Sequence, residues 1–372
     1  MSRQRILLFA PHFAEYSLRL ATGLAARAEV LLVVDGKNLT AECEDVLVRD
    51  ARAAGVRIIA YRYTSTLARA LWFFVIMARA VLFRMDVAHL QEQADKSTAR
   101  LIKALSRLAP VVLTVHDPQP HSGVDAERAR QTAGYRATMR SLARVFHVHG
   151  DYCARLMRST LDAQDTRPIV STAHGVILEP TAERLASPEP KRVLFFGRME
   201  AYKGVDVLLD AVDHLAAKGA PVHLVVAGRG PELDRLGDRL RNTPGVELKA
   251  SFLTPAEAIH EFQTSSAVIA PYRDATQSGV VAAAIANGRP IIASRVGGLI
   301  DAVRDDVEGL LVPAGDAEAL AEAIARITSD QDLRDRLAAN AAASAQTLFS
   351  WDAVAAKLID AYEGLDVRGT KA

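Results

Sequence analysis

Short runs that are apolar at successive positions alternate with longer stretches whose apolar residues recur at helical spacing, almost from end to end of the chain. The runs predict strands at Ile6–Phe9, Val30–Val34, Val56–Tyr61, Val87–Leu90, Val111–Val115, Val145–Val148 and Pro168–Ser171. The pattern pauses between Pro180 and Pro190, a stretch with three prolines and several charges. It then restarts with strands at Arg192–Phe196, Val222–Ala227, Val246–Lys249, Ala267–Ala270, Pro290–Ala293 and Leu310–Val312. Strands apolar on both sides of the pleat, separated by amphipathic helices, indicate parallel sheets covered on both faces. Two such series joined by a Pro-rich connection predict an α/β protein of two doubly wound, Rossmann-like domains. Ala-rich helices near Asp316–Ile327 and Leu333–Ala345 close the second series, and a last helix begins at Trp351. Ligands of such sheets bind beyond the carboxyl ends of the strands, so chemistry is expected in the residues that follow each strand.

At 372 residues the chain suits two cores of moderate size. A formal net charge of +1 argues against a partner held by bulk electrostatics, so no nucleic acid is expected. The two cysteines, Cys43 and Cys153, are far apart and in no metal-ligand spacing, which predicts a reducing, cytoplasmic setting. The run Ile6–Phe9 after Met-Ser-Arg-Gln-Arg is too short for a signal-peptide core, so no targeting segment is expected. Between Tyr61 and Met85 there is no acidic residue, and Leu71–Met77 lies between Arg69 and Arg79. That apolar run is well short of the ~20 residues that span a bilayer. Two readings fit the Arg69–Arg84 region. One is an interfacial helix that makes the protein peripheral at the inner face of the cell membrane, and the other is a helix packed on its own sheet.

Three strand-end loops of the second series carry unusual residues. Val193-Leu-Phe-Phe-Gly-Arg-Met-Glu-Ala-Tyr-Lys-Gly204 runs from an apolar strand into a glycine turn bearing two cations, Arg198 and Lys203, before a helix. Gly197 permits close backbone approach, the helix start offers free amides, and the cations neutralise charge on a leaving group. Ala227-Gly-Arg-Gly-Pro231 is a second glycine turn, containing Gly228, before a helix over Glu232–Leu240. The third, Tyr272-Arg-Asp-Ala-Thr-Gln-Ser-Gly-Val280, leads into Val281–Asn287; Thr276 or Ser278 can cap that helix while Gly279 leaves amides open. Two helix starts and two cations in one crevice suit a diphosphate.

The order Phe-Gly-Arg-x4-Lys-Gly204, Ala-Gly-x-Gly-Pro231, Ala-Ile-Ala-Asn-Gly-Arg-Pro-Ile-Ile-Ala-Ser-Arg-Val-Gly-Gly298 and Gly-Leu-Leu-Val-Pro313 resembles retaining glycosyltransferases of family 4, the group 1 glycosyl transferases. The resemblance covers the second series well and the first loosely. It implies a GT-B fold, two Rossmann-like domains facing a central cleft, with residues 1–180 on the acceptor side, 181–348 binding the donor, and a helix in 349–372 crossing back to the first domain. It also implies a nucleotide-diphosphate sugar as donor substrate, without a further cofactor or metal. Arg198 and Lys203 would clamp the diphosphate beside Gly197 and Gly228, and Gln277, Ser278, Gly279 and Val280 would hold the distal phosphate and sugar. The family's glutamate pair falls here on Ala275 and Ala283. Asp274, one residue early, is the nearest substitute for the first glutamate, and nothing replaces the second. The Ala-Thr-Gln-Ser-Gly-Val wording is a recurrent variant of the family, so the departure reads as a subtype.

In the first domain Val111-Val-Leu-Thr-Val-His-Asp117 ends in His116 and Asp117. The resemblance puts a histidine at such a strand end, facing the donor sugar; the competing reading is a helix-capping pair beside Pro118. His147 and His149 point to one face of their strand, as a metal pair or as a polar strand end. His174 closes another strand-end loop. The loop Ala10–Tyr16 lacks the paired glycines common in the family. The resemblance implies sugar transfer to a saccharide or lipid-linked saccharide acceptor, as in polysaccharide or glycolipid biosynthesis. The rivals are a non-catalytic relative that binds a nucleotide sugar or partners another glycosyltransferase, which the missing glutamates favour, and a sugar-nucleotide epimerase, for which acid and base residues are lacking.

Overall fold

The computed structural model describes residues 3–119, 124–180 and 187–365. Residues 181–186, at the expected domain boundary, and 366–372, at the end of the expected last segment, lie outside the described residues. The chain forms two compact units. One runs to His149 and includes Cys153–Thr172 and the helix from Trp351; the other comprises Gly150–Tyr152 and Ala173–Ser350.

The first unit holds a parallel sheet of β1 (Arg5–Ala10), β2 (Glu29–Asp35), β3 (Arg57–Tyr61), β4 (Val87–Gln91), β5 (Val111–Thr114), β6 (Val145–His149) and β7 (Ile169–Thr172). Its order is β3-β2-β1-β4-β5-β6-β7. The second holds β8 (Glu189–Phe196), β9 (His223–Ala227), β10 (Val246–Lys249), β11 (Ser265–Ala270), β12 (Ile291–Ser294) and β13 (Gly309–Val312), also parallel, in the order β10-β9-β8-β11-β12-β13. Both are doubly wound orders in which the winding reverses once, between β1 and β4 and between β8 and β11. Crevices beyond the carboxyl ends of those pairs are where such sheets bind ligands.

Each expected strand is present, because a strand buried on both faces admits few polar residues and so is conspicuous in sequence. The largest difference is β8, which begins at Glu189 instead of Arg192. The extra residues, with Pro190 among them, lie where the β8–β11 register shifts between Ser265 and Ala267. Proline lacks the ladder donor and is tolerated at such irregularities.

In the first unit the helix Trp351–Glu363 packs on the helix Ala14–Ala25. Val354, Ala355, Leu358 and Tyr362 join Leu18, Leu24, Leu8 and Leu32 in one core. Across the same sheet runs a buried polar ladder. His89 is hydrogen-bonded to the Tyr362 hydroxyl through Nδ1 and to Thr114 Oγ1 at 2.6 Å through Nε2. Thr114 Oγ1 meets His147 Nδ1 at 2.9 Å, and His147 Nε2 meets Thr172 Oγ1 at 2.8 Å. One direction of donation satisfies the series with every group neutral: Tyr362 to His89, His89 to Thr114, Thr114 to His147, His147 to Thr172. Burial pushes the His89 pKa down to about 3.

Candidate donor-phosphate site

The loops after β8, β9 and β11 are stitched together by backbone. Gly197 N donates to Ala227 O at 2.9 Å and Met199 N to Arg229 O at 2.8 Å. Glu232 N returns to Met199 O at 3.0 Å, and Arg273 N donates to Tyr202 O at 2.7 Å. Two glycines make this contact sterically feasible. Gly228 has φ +149°, and a Cβ there would stand 1.9 Å from Gly197 O. Gly204 has φ +68°, and its Cβ would stand 2.0 Å from Pro271 O. Gly197, the glycine expected to permit close approach, has φ +115°, and a Cβ there would meet Val280 Cγ2 at an ordinary 3.5 Å. The tight contact between the two loops is at Gly228.

Arg198 and Lys203 sit on opposite ends of the first loop. The Arg198 side chain is 58% exposed and reaches Glu200 at 3.7 Å. Lys203, in a 3-10 turn over Ala201–Lys203, rests its Nζ 3.9 Å from the centre of the buried Tyr272 ring and 5.4 Å from that of Tyr202. A cation over ring faces is held in place without being neutralised. The helix that follows this loop starts at Val205, with Gly204 at its N-cap.

The third loop leads into the helix Gly279–Ala286, capped by Ser278, whose Oγ accepts from Val281 N at 3.4 Å. Of the two expected caps, Ser278 takes the role, while Thr276 is buried. The first-turn amides of Gly279 and Val280 lack intrahelical acceptors, as at any helix start. A Cβ on Gly279 would lie 3.7 Å from the His174 ring, so His174 lines the same helix start. Burial pushes the His174 pKa down to about 4, and its Nδ1–H donates to Gly175 O at 3.1 Å. Gln277 Oε1 is buried without a hydrogen-bond partner. Asp274 is exposed, whereas Ala275 and Ala283 are 2% and 1% exposed. Those two positions therefore face packed interior.

Sequence reasoning missed the support behind these loops. Asp206 holds Arg273 through contacts of 2.8 and 3.0 Å and reaches Arg235 at 3.3 Å. Burial would raise the Asp206 carboxyl, but Arg273 and Arg235 outweigh it and hold the pKa below its ordinary value. Arg273 is thereby neutralised. No spacing rule links Asp206 to Arg273; only the sheet order brings β8 and β11 together.

In the first unit His116 follows β5 and is buried, with Nε2 2.7 Å from Gln91 Oε1 at the end of β4. Its ring packs on Phe13, Tyr16 and His149. Asp117 is exposed, and no helix starts at these residues, which removes the capping reading. The metal-pair reading of His147 and His149 fails as well, because His147 spends both ring nitrogens on threonines of the ladder. Among the described residues no cluster of His, Cys, Asp and Glu could hold a metal ion. The loop after β1 contains Phe13 at φ +53°, where the family's glycine would be at ease. The helix start beside it is filled by the chain's own Glu42, whose Oε2 accepts from Ala14 N at 2.6 Å.

Residues 190–330 match the family model of glycosyl transferases group 1. The chain is 35% identical over 184 residues to D-inositol 3-phosphate glycosyltransferase of Xylanimonas cellulosilytica, covering 48% of this chain and 44% of the relative. It is 33% identical over 187 residues to phosphatidyl-myo-inositol mannosyltransferase of Mycobacterium leprae, covering 49% and 48%. The chain thus spans about half the length of these curated relatives. Among solved structures it resembles sucrose-phosphate synthase from Thermosynechococcus elongatus, with TM-score 0.70 and 20% identity over 97% of this chain and 98% of that one. It also resembles Anabaena HepE in complex with UDP-glucose, with TM-score 0.67 and 16% identity over 97% and 100%. The chain accordingly has the two-domain GT-B fold, and residues 190–330 of its second unit resemble the glycosyl transferases group 1 family.

Proposed function

We propose that the protein is a retaining, metal-independent glycosyltransferase that moves a sugar from a nucleotide-diphosphate sugar to a saccharide or lipid-linked saccharide acceptor. The observation that carries this reading is the joining of three strand-end loops at the β8/β11 reversal, with Arg198, the ring-held Lys203 and the open helix start at Gly279 all borne on them. The group 1 match over residues 190–330 and the relatives named as glycosyltransferases support it.

The difficult step in such a transfer is departure of the nucleoside diphosphate from the anomeric carbon. Arg198 and Lys203 would stabilise the negative charge growing on the bridging and terminal oxygens, with the Gly279 and Val280 amides and Gln277 oriented toward the distal phosphate and sugar. A leaving phosphate oxygen on the face that the acceptor approaches takes the acceptor proton, so the step needs no protein base. That suits a loop whose acidic residue, Asp274, is exposed and whose family glutamate positions are buried alanines. On this reading His116 and Asp117 serve the sugar or acceptor side, and His174 supports the Gly279 end.

Arg198→Ala is expected to lower turnover by roughly 10²–10³, the scale of one lost preorganised contact. Lys203→Ala should act similarly. Steady-state transfer assays check both, and unchanged rates in the two variants would overturn the assignment. Ala275 and Ala283 favour a second reading, a non-catalytic nucleotide-sugar binder. Release of nucleoside diphosphate from a panel of UDP-, GDP-, TDP- and ADP-sugars separates the two, since a pure binder releases none.

A further inference from the structure

The crossover from β3 to β4 contains the helix Thr66–Phe83, which has two apolar faces. At about 100° per residue, Ile76, Ala80 and Phe83 share one side and are buried in the unit. On the opposite side Leu67, Leu71, Phe74, Val81 and Leu82 form a stripe, exposed to 80%, 62%, 69%, 56% and 76%. Packing explains the first face and leaves the second without a partner inside the unit. The helix is long and apolar enough to cross a bilayer by length and composition. Its buried side and its attachment to two strands of one sheet instead lay it alongside that sheet.

Beside the stripe, a groove of about 620 Å³ runs between this helix and the helix Lys96–Leu105. Its floor is apolar, with Ala70, Phe73, Phe74, Leu101 and Ala104, and Phe74 belongs to both groove and stripe. Arg69, Lys96, Arg100, Lys103 and Arg107 line it with no carboxylate among the lining residues. Asp95, at the start of the second helix, is engaged in capping Ser97 and Thr98. Five cations around an apolar slot, in a chain whose net charge is +1, form a strongly local positive field.

We propose that this face docks on an anionic phospholipid surface, the five cations taking lipid phosphates while Leu67, Leu71, Phe74 and Leu82 enter the acyl boundary. Charge selects the surface and the stripe supplies depth, the combination that holds interfacial helices. The proposal does not rest on the sugar-transfer reading, because no residue of the donor loops takes part.

Sedimentation of the full chain with vesicles tests it. Binding is expected to 1:1 phosphatidylglycerol/phosphatidylcholine vesicles, with little to pure phosphatidylcholine, and it should weaken as salt is raised. Arg100→Gln with Lys103→Gln should weaken it roughly 25-fold, and Leu71→Asp with Phe74→Asp should abolish it. Circular dichroism confirms that the variants are folded. Equal binding to both vesicle types, binding unchanged in either double variant, or no binding by the parent chain overturns the proposal. So does a dimer in size-exclusion chromatography that Leu71→Asp with Phe74→Asp converts to monomer, since the stripe would then belong to a second copy. Nucleoside diphosphate release in solution should be unaffected by these substitutions.

Discussion

Gly228 shows how a single position can control the spacing of the loops after β8 and β9. Its φ of +149° and the 1.9 Å separation from Gly197 O leave no room for a methyl group. Gly228→Ala must therefore push the loop after β9 away from the loop that carries Arg198. Activity is expected to fall at least tenfold, with a lower midpoint of thermal unfolding, because the strained backbone and the displaced loop cost about 1–3 kcal/mol. Steady-state kinetics together with a melting curve check this. The glycine turn itself was legible, since such turns punctuate strand–helix junctions. That its partner is the backbone of another loop was not, because sequence gives conformational preference at a position and not what will stand opposite it.

Among the strands, β8 repays scrutiny because it carries a buried cation. Arg192 is 5% exposed and donates to Glu261, to Thr264 Oγ1 at 2.6 Å and to Ser265 Oγ at 3.0 Å. Glu261 also receives Lys249 at 2.7 Å. Arg192→Leu would leave the buried carboxylate with one partner and two hydroxyls without their donor. The expected loss is about 3 kcal/mol, at the lower end for breaking a buried pair because Lys249 remains. Urea unfolding of the variant against the parent chain measures it. The strand was readable from its aliphatic run, but its first residues were not, since a proline and charges disguise an irregular ladder. Helix caps were more accessible: Ser278 and Asp316 both cap helices expected nearby, through local hydrogen bonds that reach only three residues.

At the level of the whole molecule, thirteen strands could be placed along the chain, yet their order across the sheets could not. Strand order depends on which runs pair, and every β-branched run here fits beside several others. The β8/β11 reversal, which gives the loops after β8 and β11 their common location, is therefore a product of topology. The same holds for the ladder from Tyr362 to Thr172, whose members come from residues 89, 114, 147, 172 and 362. That ladder is built for neutral imidazole. His89 has its pKa lowered from 6.5 to about 3 by burial, so between these values the unfolded chain binds more protons than the folded one. Stability is present above about pH 6.5 and declines as pH falls toward 3. His12 and His174, each lowered to about 4, act in the same direction. Denaturant midpoints at pH 7.5 and about pH 5 should show the drop, and His89→Asn should reduce it.

The membership of Trp351–Glu363 in the first unit has a temporal consequence. A ribosome delivers that unit's strands before its closing helix, with Ala173–Ser350, the bulk of the second unit, emitted between the two. Until the final turns leave the exit tunnel, the core around Leu18 and Leu358 is open on one side and His89 waits for the hydroxyl of Tyr362. The second unit, whose sheet is continuous in the chain from Glu189 to Val312, has no such wait. Of these two units, the one begun first is thus completed second.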